Sequence, residues 1–105
     1  GHGWRKLLRH PGEFTYRIDA VPPVPPVLAF MQREARLDAA EAYGTLNMGA
    51  GFAFFVRPDQ AAQTVAIAQQ CGIDAWIAGR VEAGAKQAII EPIGVTYGAD
   101  DLKLR

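Results

Sequence analysis

Four prolines within five positions constrain the fold of this chain more than any other feature. They stand in the stretch Val21-Pro22-Pro23-Val24-Pro25-Pro26-Val27. Because proline fixes φ and lacks an N–H, no helix can run through this stretch. Proline is tolerated in the first turn of a helix, so Pro25 and Pro26 predict a helix that begins here and continues through residues 27–32. A proline-rich recognition motif is the alternative, but such motifs do not normally run directly into an apolar helix.

Local patterns on both sides of the prolines predict further elements. In residues 4–10, Trp4, Leu7 and Leu8 share one face of two helical turns, and Pro11-Gly12 ends them. Residues 14–20 alternate apolar and polar side chains and predict a strand. Asp38 and Glu41 have the spacing of a capping box, so a helix should begin at Ala39 and close near Asn47 and Gly49, residue types that accept the left-handed conformation.

The second half of the chain predicts three more strands and one more helix. The apolar residues 51–56 predict a buried strand, and Asp59 should cap a helix over residues 60–71 that Gly72 ends. Residues 75–81 predict a third strand, residues 82–85 a turn, and residues 87–93 a fourth strand that residues 94–97 extend past Pro92. The expected fold is a single α/β (α+β) domain over residues 1–105, a two-layer sandwich of one mixed, about four-stranded sheet with helices on one face.

Composition excludes several classes of function. Acidic and basic residues balance at 11 each, which argues against a nucleic-acid surface. No apolar run is long enough to span a membrane, and the N-terminus lacks the apolar segment of a signal peptide. Cys71 is the only cysteine, so a disulfide within the chain is impossible and a reducing, cytoplasmic location is expected. Its position before Gly72 favours a small buried thiol over a nucleophile.

Side chains able to perform catalysis are scarce. The only imidazoles are His2 and His10, no serine is present, and no His/Cys cluster has metal-ligand spacing. A phosphate-binding loop that ends in Lys-Ser or Lys-Thr is also missing. Four acidic residues fit helix caps or solvated turns better than catalysis: Glu41, Asp59, Asp100 and Asp101. We therefore predict no catalytic residue and no metal ligand in this chain.

Two glycine-containing loops remain as candidate binding sites. His2 and Gly3 precede Trp4-Arg5-Lys6, where a helix N-terminus with Arg5 could hold a phosphate. The turn from Asn47 through Gly49 to Gly51 could hold an anion on its backbone N–H groups. A ligand role and a purely conformational role both stay open for each loop.

The order of the motifs resembles one enzyme family. Four segments are similar to motifs in the C-terminal domain of aminoimidazole ribonucleotide (AIR) synthase. They are Pro23-Val24-Pro25-Pro26-Val27, Phe30-Met31-Gln32, the run from Glu41 to Gly51, and Ala75-Trp76-Ile77-Ala78-Gly79-Arg80-Val81. This enzyme is also called phosphoribosylformylglycinamidine cyclo-ligase. The chain departs from the family at His2, where the family has glycine, at Gly44, where it has arginine, and at Leu46, where it has phenylalanine.

The resemblance implies a function and a set of partners. The parent enzyme would use ATP and Mg²⁺, bound mainly by an N-terminal domain outside this chain, and act on a small-molecule substrate as a homodimer. Because the chain opens on Gly1 without methionine, we expect it to be the C-terminal fragment of such a protein, with no cofactor of its own. Asn47, Gly49 and Gly51 would line the cleft, and His2, Gly3 and Arg5 would lie on its phosphate side. The alternative is a non-enzymatic α/β module for dimerisation or metabolite sensing, which the run Phe52-Ala53-Phe54-Phe55 would also suit.

Overall fold

The computed structural model describes residues 2–102, which form one mixed four-stranded sheet with helices. The strands are β1 (Phe14–Ile18), β2 (Gly79–Ala83), β3 (Gln87–Ile90) and β4 (Val95–Gly98). The α-helices are α1 (Pro26–Glu34), α2 (Ala39–Tyr43) and α3 (Ala61–Gln70). Short 3-10 helices cover Gly3–Arg9, Pro58–Gln60, Glu91–Ile93 and Ala99–Leu102. The predicted two-layer α+β class is confirmed.

The strand order is β2-β1-β3-β4, so β1 lies inside the sheet between two strands from the far end of the chain. β1 pairs antiparallel with β2 and parallel with β3, and β3 pairs antiparallel with β4. Alternation gives the sheet two different faces. Tyr16 and Ile18 point to an apolar face, while Arg17 points to a polar face, where it forms ion pairs with Glu82 (3.1 Å) and Glu91 (3.2 Å).

Helices cover part of the apolar face. The N-terminal 3-10 helix contributes Trp4 and Leu8, which lie one turn apart and are buried, as the sequence pattern predicted. α2 contributes Ala42 and Tyr43, and the fully buried Met48 follows it. These side chains meet those of β1, β3 and β4 in one core.

The predicted starts of α1 and α2 are confirmed. Pro26 occupies the first position of α1. Asp38 accepts a hydrogen bond from the Glu41 N–H, and the Glu41 carboxylate accepts one from the Asp38 N–H, which completes the capping box. α2 nevertheless ends at Tyr43, earlier than predicted, with Gly44 at its C-cap.

The predicted strand over residues 51–56 is wrong. These residues form no strand and are exposed throughout. A strand that is apolar on both faces needs a sheet buried on both faces. The polar face of this sheet carries Arg17, Glu82 and Glu91, so it offers such a strand no suitable position.

Boundaries differ in the last third of the chain. β2 begins only at Gly79 and extends to Ala83, through the start of the predicted turn, because its pairing with β1 runs from Gly79 opposite Ile18 to Ala83 opposite Phe14. The predicted long fourth strand is also wrong. Pro92 lies in a 3-10 turn that closes at Gly94 with φ +65°, and the chain returns as the separate strand β4.

Two single-residue predictions are wrong as well. Cys71 is exposed rather than buried, because α3 buries none of its residues. Asp59 does not cap α3; it lies in the preceding 3-10 turn, and its carboxylate is 3.7 Å from the Arg57 guanidinium. Within residues 2–102, no helix is both long enough and apolar enough to cross a membrane.

Candidate functional site

The N-terminal loop and the turn after α2 are far apart in sequence but lie against each other in the structure. The Trp4 indole Nε1 donates a hydrogen bond to the Asn47 carbonyl oxygen at 2.7 Å. The Arg5 guanidinium Nε donates to the Gly44 carbonyl oxygen at 2.7 Å. Trp4 also contacts Tyr43 edge-to-face, with ring centroids 5.4 Å apart. The two loops predicted as candidate sites therefore share one region of the molecule.

Gly3 permits this close approach. Its φ is +51°, a conformation that side chains disfavour, and a Cβ here would lie 2.2 Å from the Tyr43 carbonyl oxygen and 2.8 Å from the Thr45 nitrogen. Both neighbours are backbone atoms, so they cannot move aside as a side chain can. The absence of a side chain at Gly3 thus lets the N-terminal 3-10 helix pack against the end of α2. Gly1, two positions before Gly3, lies outside the described residues.

The turn from Asn47 to Gly51 is held by its own backbone and by the prolines. The Asn47 side-chain oxygen accepts a hydrogen bond from the Gly49 N–H at 2.9 Å, and its carbonyl accepts one from the Ala50 N–H at 3.0 Å. Gly49 has φ +99°, and a Cβ there would lie 3.0 Å from Pro25 Cδ. Nothing lies within 4 Å of the corresponding position at Gly51. These contacts hold the turn up to Gly49, whereas Gly51 is exposed to solvent.

Met48 is the residue of this turn that the sequence did not reveal. It adopts φ +50° although it is not glycine, and its side chain is fully buried. The left-handed pair is therefore Met48 and Gly49, where the sequence suggested Asn47 and Gly49. Asn47 instead uses its side chain to close the turn. The positive φ of Met48 is set by its anchoring in the core, which no local pattern records.

Arg5 lines a shallow depression of about 170 Å³ at the junction of the two loops. The other lining residues are Ala40, Glu41, Gly44, Thr45, Tyr97 and Asp101. The volume is below that of a typical ligand pocket, about 300–1,000 Å³, so the depression suits one small polar group and not a whole nucleotide. Arg5 Nη1 also donates to the Asp101 carbonyl oxygen at 2.8 Å. The guanidinium therefore links its own 3-10 helix to Gly44 and to Asp101 through hydrogen bonds, and it also lines the depression.

Tyr97 also lines this depression. Its hydroxyl donates to the Ala40 carbonyl oxygen. Burial is the main cause that raises the pKa of Tyr97 to about 12. The positive charge of Arg5 opposes this shift, and the negative charges of Asp101 and Asp38 add to it. Burial likewise raises the pKa of Tyr43. Both phenols are neutral at physiological pH and act as hydrogen-bonding core residues; the inward alternation of Val95 and Tyr97 along β4 was the only signal for Tyr97 in the sequence.

His2 lies close to the cationic side chains of the N-terminal 3-10 helix. Partial desolvation and the nearby charges of Arg5 and Arg9 lower the pKa of His2 below its ordinary value. The lowered pKa favours the neutral imidazole at pH 7. A phosphate bound at this loop would meet a neutral donor at His2 and a permanent cation at Arg5.

Other groups able to perform chemistry are dispersed. His10 Nδ1 accepts a hydrogen bond from the Gly12 N–H at 3.0 Å and stabilises a turn. Within residues 2–102 there is no group of three or more His, Cys, Asp or Glu side chains that could hold a metal ion. The described residues therefore do not fit a Mg²⁺ site.

Comparison with known proteins places this sequence in a family. Residues 10–91 match the family model described as AIR synthase related protein, C-terminal domain. Proteins named phosphoribosylformylglycinamidine cyclo-ligase are similar to the chain. That of Methanococcus vannielii is 35% identical over 82 residues, which are 78% of this chain and 24% of the relative. For Methanocaldococcus jannaschii the values are 36% over 81 residues, 77% and 23%, and for Bacillus pumilus 35% over 80 residues, 76% and 21%. The chain spans about a quarter of the length of the curated relatives it matches.

Proposed function

Since the chain belongs to the family of AIR synthase related proteins and matches their C-terminal domain, we propose that it is the C-terminal domain of an ATP-dependent cyclo-ligase of purine biosynthesis. The parent protein would convert formylglycinamidine ribonucleotide to aminoimidazole ribonucleotide. The observation that carries this proposal is the 35% identity to relatives of that name across 78% of the chain. Fold alone would not decide the chemistry, because one architecture can serve several reactions.

In this proposal the domain contributes a glycine-rich wall to the cleft. The backbone of Asn47, Gly49 and Gly51 forms this wall, which packs on the prolines at Gly49 and is open to solvent at Gly51. The contact of the N-terminal loop with the turn after α2 supports the proposal, because one ligand could then touch both loops. Closing a ring requires that the reacting nitrogen and carbon be held in one geometry, which a rigid wall favours.

His2, Gly3 and Arg5 are the proposed phosphate side of the cleft. Arg5 uses Nε and Nη1 for carbonyl oxygens, and a guanidinium has five N–H donors, so it retains donors for a phosphate. The small depression at Arg5 has room for one phosphate-sized group, which would also face the side chains of Glu41 and Asp101. Substrate orientation, and not proton transfer, is the role that these residues support.

ATP and Mg²⁺ belong, in this proposal, mainly to an N-terminal domain of the same polypeptide. The chemistry that ATP supplies is phosphorylation of the amide oxygen, after which the neighbouring nitrogen closes the imidazole ring and phosphate leaves. We further propose a homodimeric, cytoplasmic parent enzyme. Catalytic groups in this domain are not required by the proposal, since positioning and charge stabilisation can supply much of the rate.

The test is AIR formation by the full-length protein. The gene should restore growth without purines to a bacterial strain that lacks its cyclo-ligase, and the purified protein should convert formylglycinamidine ribonucleotide and ATP to AIR. The 105-residue chain alone should neither hydrolyse ATP nor form AIR, and serves as the matched control. Turnover by the chain alone would contradict the assignment of roles.

A folded full-length protein without this activity would contradict the proposal itself. The remaining candidate would then be a non-enzymatic module for dimerisation or metabolite sensing, which the exposed phenylalanines at positions 52, 54 and 55 favour. Sedimentation of the full-length protein with and without purine precursors would distinguish these two functions.

A further inference from the structure

The short turn that follows β4 lies against the guanidinium of Arg5. The chain leaves β4 at Gly98 and forms one 3-10 turn over Ala99–Leu102, which we call the β4 turn. The Asp101 carboxylate closes it, because Oδ2 accepts a hydrogen bond from the Gly98 N–H at 2.6 Å. The backbone carbonyl of the same residue accepts a hydrogen bond from Arg5 Nη1 at 2.8 Å. Asp101 thus holds the β4 turn closed and joins it to Arg5.

The β4 turn occupies donors of Arg5 that a phosphate would need. A guanidinium holds a phosphate best with two parallel N–H donors, either on an edge that includes Nε or on the edge formed by Nη1 and Nη2. Nε already donates to the carbonyl oxygens of Gly44 (2.7 Å) and His2 (3.3 Å). The Asp101 carbonyl accepts from Nη1. A phosphate can therefore use the Nη1–Nη2 edge in full only when Asp101 releases Nη1.

The Asp101 carboxylate also opposes an anion in the depression. Asp101 and Glu41 both line it, so two carboxylates face one guanidinium there. Charges of like sign at such short range repel each other. Displacing Glu41 would break the capping box of α2, whereas displacing Asp101 would open a single turn whose residues 99–101 are exposed. Asp101 is therefore the carboxylate that an incoming anion displaces at the lower cost.

Arg5 keeps its position when the β4 turn opens. The hydrogen bond from Nε to the Gly44 carbonyl is partly buried and involves no residue of the turn, while the bond from Nη1 to Asp101 is exposed. A hydrogen bond between two ionised groups is stronger than one to a neutral carbonyl. Phosphate can therefore replace the Asp101 carbonyl at Nη1 without detaching Arg5 from Gly44.

We propose that the β4 turn is an autoinhibitory strap that competes with a phosphate group for Arg5. In the closed state, Asp101 occupies Nη1 and places its carboxylate in the depression; in the open state, Arg5 binds phosphate on its Nη1–Nη2 edge. The role of the strap rests on the proposed phosphate side of the cleft, whose regulation it supplies. The two events are coupled in both directions: phosphate should open the strap, and weakening the strap should tighten phosphate binding.

Titration calorimetry of the full-length protein with inorganic phosphate tests the strap. Asp101→Asn removes the carboxylate charge but keeps a side-chain oxygen for the Gly98 N–H, and it should lower the Kd for phosphate about fivefold. The matched control is Asp100→Asn, which removes the same charge from a neighbour that does not line the depression and should change Kd by less than about twofold. Adding Arg5→Gln to Asp101→Asn should abolish the gain, which assigns the gain to this site.

Hydrogen exchange of the unmodified full-length protein measures the opening itself and requires no variant to fold. Saturating inorganic phosphate should accelerate amide exchange in residues 99–102 about threefold. Residues 95–97 of β4 are the internal control and should keep their exchange rates, because β4 remains paired with β3.

Three outcomes would overturn the strap. These are equal changes of Kd for Asp101→Asn and Asp100→Asn, a gain in affinity that survives Arg5→Gln, and unchanged exchange of residues 99–102 at saturating phosphate. None of these measurements depends on AIR formation. A full-length protein that forms AIR but gives any of the three results refutes the strap alone, whereas an inactive protein whose strap opens with phosphate refutes only the proposed reaction.

Discussion

Replacing Gly3 by alanine tests the junction on which the candidate site depends. The new methyl group would lie 2.2 Å from the Tyr43 carbonyl oxygen and 2.8 Å from the Leu46 carbonyl oxygen. Neither atom can retreat without opening the turn after α2. The expected consequence is separation of the two loops and loss of the hydrogen bond from the Trp4 indole to the Asn47 carbonyl.

The magnitude has two parts. Holding alanine at φ +51° costs about 1 kcal/mol. Overpacking against fixed backbone atoms costs about 2 kcal/mol more. A loss of about 3 kcal/mol in the free energy of unfolding should lower the Tm by roughly 15 °C in a domain of this size.

A second glycine provides the control. Gly94 has a similar φ of +65°, but nothing lies within 4 Å of its Cβ position. Gly94→Ala should therefore incur only the conformational cost of about 1 kcal/mol and lower the Tm by roughly 5 °C. Thermal unfolding followed by circular dichroism measures both variants. Equal Tm values for Gly3→Ala and Gly94→Ala would refute the close approach of the two loops.

Three further changes test other parts of the structure. Gly49→Val should lower the free energy of unfolding in urea by about 2 kcal/mol, because φ is +99° and its Cβ would press on Pro25. Asp38→Ala should lower it by about 1 kcal/mol, because the Glu41 N–H loses its capping partner. The pKa of Tyr97 is raised to about 12 in the folded protein. Its contribution to stability is therefore complete below pH 10 and is lost as the pH rises through 12. Tyr97→Phe should accordingly show a smaller decrease of Tm at alkaline pH than the unmodified protein.

Each of these expectations has a contradicting result. Gly51→Val should unfold like the unmodified protein, because nothing lies within 4 Å of that position, and equal losses for Gly49→Val and Gly51→Val would refute the packing on the prolines. Asp38→Asn should retain most of the stability that Asp38→Ala loses, since asparagine also caps helices; a full loss would contradict the capping argument. Parallel Tm curves for Tyr97→Phe and the unmodified protein between pH 9 and 12 would show that Tyr97 does not titrate as described.

Only part of the candidate site could be predicted from the sequence. The glycine turn and the N-terminal loop were identified because glycine spacing is visible in the chain. Their contact with each other was not, since it depends on Trp4 and Arg5 reaching carbonyl oxygens about forty positions away. Tyr97 and Met48 were missed for the same reason: their roles come from burial against distant elements.

The sequence by itself determined the features that act over a few residues. The prolines placed the start of α1, Asp38 and Glu41 placed the start of α2, and the motif order led to the AIR synthase family, which the family match confirms. Only the tertiary structure decided which segments join the sheet. Residues 51–56 look like a strand in isolation, yet a strand needs a neighbour with matching faces. With one face of the sheet charged by Arg17 and Glu82, the apolar run stays outside it as an exposed surface, because pairing depends on partners that lie far along the chain.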